Sequence, residues 1–185
     1  MIRPVVVYGN PSLRKKSELV QNNYEGLQTL IADMFETMYN AEGVGLAAPQ
    51  IGVNINLFII DAREMDENDP TLVDFKKVFI NPEIVEEWGD EWTFNEGCLS
   101  LPNIREDVKR RPNIKLRYVD ENFNQFEESF DGIKARIIQH EYDHLNGVLF
   151  VDKLAMLKKR MIKNKLGAIE KGQVETEYRV KFYNH

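Results

Sequence analysis

His140-Glu141-Tyr142-Asp143-His144 sets two imidazoles four residues apart with a carboxylate beside the first. On an α-helix that spacing turns both rings to one face, so the segment offers two metal ligands and a proton carrier together. The chain has only three histidines, and the third, His185, is its last residue. Histidine is thus concentrated where a hydrolytic metal site would need it. A catalytic ion of this kind takes three protein ligands and keeps one position for water, so a third ligand must come from elsewhere.

Cys98 is the only cysteine, in Glu96-Gly97-Cys98-Leu99-Ser100. Gly97 allows close backbone approach, and Ser100-Leu101-Pro102 breaks the strand that precedes it. A thiolate with two neutral imidazoles suits zinc or ferrous iron. The alternative is a buried free cysteine behaving as a small hydrophobe. One cysteine makes no internal disulfide, so the chain needs no oxidising compartment. Upstream, Gly43 to Gly52 is a run of small residues in which Pro49 stiffens the backbone before Gln50. The Gln50 amide could donate to a carbonyl oxygen that gains negative charge. Taken alone, the same run reads as a helix end and turn feeding an apolar strand from Ile55 to Ile60.

Together, Gly43 to Gly52, Glu96 to Ser100, and His140 to His144 with Leu145-Asn146-Gly147 resemble the three ordered motifs of the peptide deformylases. The resemblance spans residues 1 to 155 or so, and includes Pro11-Ser12-Leu13-Arg14 and Glu36-Thr37-Met38. It implies one catalytic domain over residues 1–185. That enzyme would remove the formyl group from the N-terminal methionine of newly made proteins and release formate. The resemblance assigns Cys98, His140 and His144 to the metal, Glu141 to proton transfer, and Gln50 with the Leu99 backbone N–H to the oxyanion. It lays the peptide beside Gly43, Val44, Gly45 and Gly97, paired through its backbone. The methionine pocket would be formed by Val44, Phe94, Ile133 and Ile137, with Arg105 facing the downstream peptide. Arg136 departs from members with an apolar residue there, at the outer rim of that pocket. The family points to Fe2+, and the same ligands accept Zn2+, Ni2+ or Co2+.

Two other classes share parts of the pattern. A zinc-dependent peptidase has His-Glu-x-x-His, but normally draws its third ligand from Glu, Asp or His. A non-catalytic binding module stabilised by metal needs a fourth protein ligand, and no second cysteine or spare internal histidine supplies one.

The elements that must position these residues are partly legible. Asp131 is a suitable N-cap, Ile133 and Ile137 continue the stripe of His140, Glu141 and His144, and Asn146-Gly147 supplies a stop. The metal face and the apolar face coincide, so a metal fits only where a cleft opens the core. Leu27, Leu30, Ile31, Met34, Phe35 and Met38 predict an amphipathic helix from about 24 to 40. Strand-like runs are Ile55 to Ile60, Val78 to Val85, Trp92 to Leu99, Ile114 to Val119, and Gln125 to Phe130 across an Asp120 to Asn124 turn. The class is α+β: mixed, mostly antiparallel strands around a central metal-binding helix, with an N-terminal amphipathic helix and a C-terminal helix.

At 185 residues, 43% hydrophobic and 29% charged, the chain suits one domain with a sizeable core. No apolar run approaches a membrane span, and Met1-Ile2-Arg3-Pro4 lacks the apolar core of a signal peptide, so a cytoplasmic protein is expected. The net charge of −6 argues against binding free nucleic acid. Yet residues 152 to 172 carry seven Lys or Arg against Asp152 and Glu170, a local +5 that leaves −11 elsewhere. Residues 152–185 therefore form a basic C-terminal helix and tail. Leu154, Leu157, Met161, Ile162, Leu166 and Ile169 fall on one half of its wheel, with Lys153, Lys159, Arg160, Lys163 and Lys171 on the other. That polar half is either a solvated surface or, given the substrate's place of synthesis, a ribosome contact. Tyr178 to Tyr183 alternates like a final strand with no partner assigned.

Overall fold

The computed structural model describes residues 1–183, so His185 lies outside the described residues. Leu57-Phe58-Ile59-Ile60 is apolar at every position, and all four side chains are buried. Such a run belongs to a strand covered on both faces. It forms β3 (Leu57–Asp61) of a five-stranded antiparallel sheet ordered β2-β3-β4-β7-β8, with β2 at Gly45–Ala47, β4 at Lys76–Trp88, β7 at Asn113–Val119 and β8 at Gln125–Asp131. Leu57 and Ile59 turn to α1 (Leu27–Asn40), packing with Leu30, Met34 and Met38. Phe58 and Ile60 turn the other way, to the layer that holds Ile137 and Ile138 of α2 (Gly132–Leu145). The sheet is thus sandwiched between the amphipathic helix and the His-Glu-x-x-His helix.

A separate hairpin pairs β5 (Trp92–Cys98) with β6 (Leu101–Arg110). The sequence pattern marks Ser100-Leu101-Pro102 as a break, but the break is only a turn. Cys98 pairs with Leu101, and the chain runs on extended for ten residues. Pro102 is tolerated because this ribbon has free edges. The register then jumps, with Gly97 opposite Arg105, so Pro102 to Ile104 bulge from the ladder.

The expected elements recur with shifted ends. The N-terminal helix starts at Leu27, after Gly26 in the left-handed region (φ 75°). Asp131 occupies the cap position of α2 without a side-chain cap hydrogen bond. Gly147 closes the turn after α2 at φ 70°, where a β-carbon would meet the Arg14 carbonyl oxygen at 2.5 Å. Gly43 to Gly52 is not all loop, because β2 pairs with β3 through Gly45–Ile60.

The C-terminal helix α3 (Met156–Glu170) corrects the wheel reading. Only Ile162 and Ile169, two turns apart, are buried on it, while Leu157 and Met161 are each 70% exposed. The helix meets β6 along a narrow edge that also holds Lys158, whose Nζ donates to Glu106 at 2.7 Å. A single seam buries fewer positions than half a wheel. The alternating tail finds its partner in the N-terminal segment: β9 (Val180–Lys181) pairs in parallel with β1 (Val5–Val6). No helix among the described residues is long and apolar enough to cross a membrane.

Candidate metal centre and active site

Helix α2 carries His140, Glu141 and His144 into the space between the large sheet and the β5–β6 hairpin. Strand β5 brings Cys98 to meet them. One ligand atom from each of Cys98, His140 and His144 lies within 4.8 Å of the others, and Cys98 Sγ is 3.3 Å from His144 Nε2. A thiolate and two imidazoles converging at this spacing are a ligand set for a divalent ion. The surroundings fit one too. His140 donates from Nδ1 to Glu96 Oε2 at 2.9 Å, which fixes the ring and leaves its other nitrogen for the metal side. Glu141 is buried, and its Oε2 has no hydrogen-bond partner among the described residues, so a carboxylate oxygen is held out of water beside these three side chains.

Burial pushes the Glu141 carboxyl up to about 7, against the pull of the neighbouring His140. Burial lowers His144, and the charge on His140 adds to that. For His140 burial works the same way, but Cys98 and Glu96 outweigh it and raise the ring. Burial also disfavours ionised Glu96, yet hydrogen bonds from His140 and Arg110 hold its carboxyl well below the usual range.

The sequence reading does not single out Glu96, although one signal exists: residues 96 and 98 alternate onto the same face of a strand. Arg110 donates to both Glu96 oxygens, at 2.7 and 3.0 Å, and to Asp143 at 2.6 Å. Arg136 donates to Glu96 Oε1 at 2.9 Å and to the carbonyls of Val108 and Trp92. Arg136 therefore does not sit at an outer rim. It is 2% exposed, with its guanidinium over the Trp92 ring at 4.6 Å, because its charge is buried where Glu96 and two carbonyls can pair it.

Gln50 lies in the short helical turn Ala48–Ile51 that follows β2. Its Oε1 accepts from the Ala47 N–H at 2.8 Å, and its Nε2 reaches Ser100 Oγ at 3.2 Å and Cys98 Sγ at 3.5 Å. The amide donor thus points at the turn that carries Cys98 and Leu99.

A cavity of about 470 Å³ opens beside these groups. Gly43, Val44 and Gly45 form one side, and Gly97, Cys98 and Leu99 another. Phe94, Ile137 and Arg136 also line it, as do His140, Glu141 and Gln50. Ile133 does not. One turn earlier on α2, it is partly buried against the core. Arg105 reaches the cavity, but its guanidinium is held to Asn95 by bonds of 3.0 and 2.8 Å. Tyr178 from the tail is a further lining residue that the sequence pattern does not suggest.

The sequence model of the family described as polypeptide deformylase matches residues 2–160. The chain belongs to this family. Curated deformylases resemble it over most of their length: that of Christiangramia forsetii is 51% identical over 191 residues, covering 100% of this chain and 97% of its own. A crystal structure of the deformylase from Legionella pneumophila superposes with a TM-score of 0.81 at 43% identity, covering 94% of this chain and 98% of that one. A Plasmodium falciparum deformylase bound to an inhibitor matches at 0.78 and 35%, covering 89% and 97%. The family's α+β fold, with mostly antiparallel sheets and three helices, is the fold found here. A Cys-His-His group in a deformylase supports a divalent metal.

Proposed function

We propose that this chain removes the N-formyl group from the terminal methionine of nascent proteins, releasing formate and a free amino terminus. The observation that carries the reading is the buried Glu141 carboxylate, with Oε2 unpaired among the described residues, beside the Cys98, His140 and His144 group at the edge of a cavity of about 470 Å³.

Cys98, His140 and His144 hold the metal, ferrous iron by family and nickel, cobalt or zinc by ligand chemistry. When bound, such an ion supplies Lewis acidity and lowers the pKa of water to about 7. Glu141 accepts the proton of the attacking water and delivers it to the leaving amine, a role its raised pKa suits. Gln50 Nε2 and the Leu99 N–H donate to the oxygen that becomes negative as the formyl carbon turns tetrahedral. Each such donor is worth about 2.7 to 4 kcal/mol in comparable sites. The peptide lies along Gly43 to Gly45 and beside Gly97, pairing by its backbone, and Val44, Phe94 and Ile137 receive the methionine side chain.

The protein works in the cytoplasm, and the outward Lys159, Arg160 and Lys163 of α3 offer a ribosome contact. Formate release from a formyl-methionyl peptide by protein purified without oxygen tests the reading. Cleavage of an internal peptide bond with no formate would favour a peptidase instead.

A further inference from the structure

The turn that carries Leu99 is tethered from three directions, two of them by the chain's terminal segments. Gln50 donates to the Ser100 hydroxyl, and the Tyr8 N–H donates to the Ser100 carbonyl at 2.9 Å. The Tyr178 hydroxyl donates to the Leu99 carbonyl at 2.7 Å. We propose that Tyr178 is a positioning residue for Leu99, which makes the C-terminal tail a working part of the active site. This rests on the deformylase reading, in which the Leu99 N–H stabilises the oxyanion.

The N–H and the carbonyl of Leu99 belong to the two peptide units that meet at its α-carbon. Pinning the second unit limits how far the first can swing, and a donor helps only if it is already aimed when charge develops. The turn has little rigidity of its own here, since the ladder is interrupted just beyond it at Pro102 to Ile104. The tail is itself anchored on both sides of Tyr178. Asn103 Nδ2 donates to the Glu175 carbonyl at 3.2 Å, and the N–H groups of Val5 and Val7 donate to the carbonyls of Arg179 and Lys181 at 2.9 and 3.3 Å. The Tyr178 backbone is therefore fixed on both sides, by a side-chain bond before it and by strand pairing after it. Tyr178 lies beyond residue 160, where the family match ends.

The test is Tyr178→Phe in the full-length, metal-loaded enzyme, which keeps the ring and removes only the donor. With a formyl-methionyl tripeptide, kcat should fall about five- to tenfold, the worth of one hydrogen bond, with KM changed by less than about twofold. Metal content should be unchanged, and the Leu99 amide should exchange its hydrogen faster than in the wild type. A lower melting temperature with unchanged kcat would make the bond merely structural and overturn the proposal. A raised KM with unchanged kcat would make Tyr178 a wall of the groove and overturn it as well. The exchange measurement needs no turnover. If the wild type released no formate, the functional reading would fall, while the exchange rate would still show whether Tyr178 holds Leu99.

Discussion

The Glu141 carboxylate packs directly on the α-carbon of Gly45: a β-carbon there would stand 2.6 Å from Oε1 and 2.9 Å from the carboxyl carbon. Gly45 pairs with Ile60 in the sheet and cannot retreat. Only glycine leaves Glu141 where it is. Gly45→Ala should therefore displace the carboxylate and lower kcat/KM by about two orders of magnitude or more, with metal retained. Glu141→Gln, which keeps the shape and loses the base, should do the same. Metal analysis beside kinetics checks this, and a Gly45→Ala enzyme within threefold or so of wild type would show that the placement is not critical.

Glu96 orients His140 while two guanidinium groups hold Glu96. Glu96→Gln should weaken metal binding by about 10- to 100-fold, the usual cost of losing such an orienting partner. Competition with a chelator measures it. Unchanged affinity, with only a lower melting temperature, would reduce Glu96 to a structural ion-pair centre.

Gln50 has two jobs, since its oxygen caps the Ala47 N–H and its nitrogen faces the Cys98 turn. Gln50→Ala should lower kcat by about 10²- to 10³-fold. It should also cost about 1 to 3 kcal/mol of stability by leaving a buried N–H unpaired. Denaturant titration and single-turnover rates separate the two losses.

The choice of metal should appear in the response to air. An iron-loaded sample should lose activity aerobically as Cys98 gains oxygen, whereas a nickel-loaded sample with the same ligands should persist. Mass spectrometry of the Cys98 peptide, followed beside activity, gives the answer. Equal decay in both forms with Cys98 unmodified would sink the idea.

Asp61 accepts from Arg63 at 2.7 and 2.8 Å and from the Tyr39 hydroxyl at 2.6 Å. These bonds, Arg63 foremost, bring its carboxyl down from 3.8 to about 2. A lowered folded pKa means stability present above about 4 and lost as pH falls toward 2. Because the Arg63 side chain is 46% exposed, the contribution is about 1 kcal/mol, or roughly 2 to 4 °C in Tm. Asp61→Asn should melt lower than wild type at pH 6, and the gap should close by about pH 2. A gap independent of pH would assign the loss to packing instead.

Periodicity and residue chemistry determined a good deal unaided. Four-residue spacing places His140 and His144 on one helix face whatever the helix packs against, and the lone cysteine left one candidate for a third, sulfur ligand. The run Leu57 to Ile60 and the stripe from Leu27 to Met38 are likewise local patterns, which is why β3 and α1 were legible to within three residues. What escaped were meetings between distant segments. Glu96 with Arg110 and Arg136, Tyr178 with Leu99, and the exposure of Leu157 and Met161 depend on hairpin register, on a bulge and on which edge of α3 finds β6. A side chain's own sequence neighbours carry its helix or strand face. Its partners across the fold are chosen by packing and by the cost of leaving buried charge unpaired, and only the tertiary structure decides those.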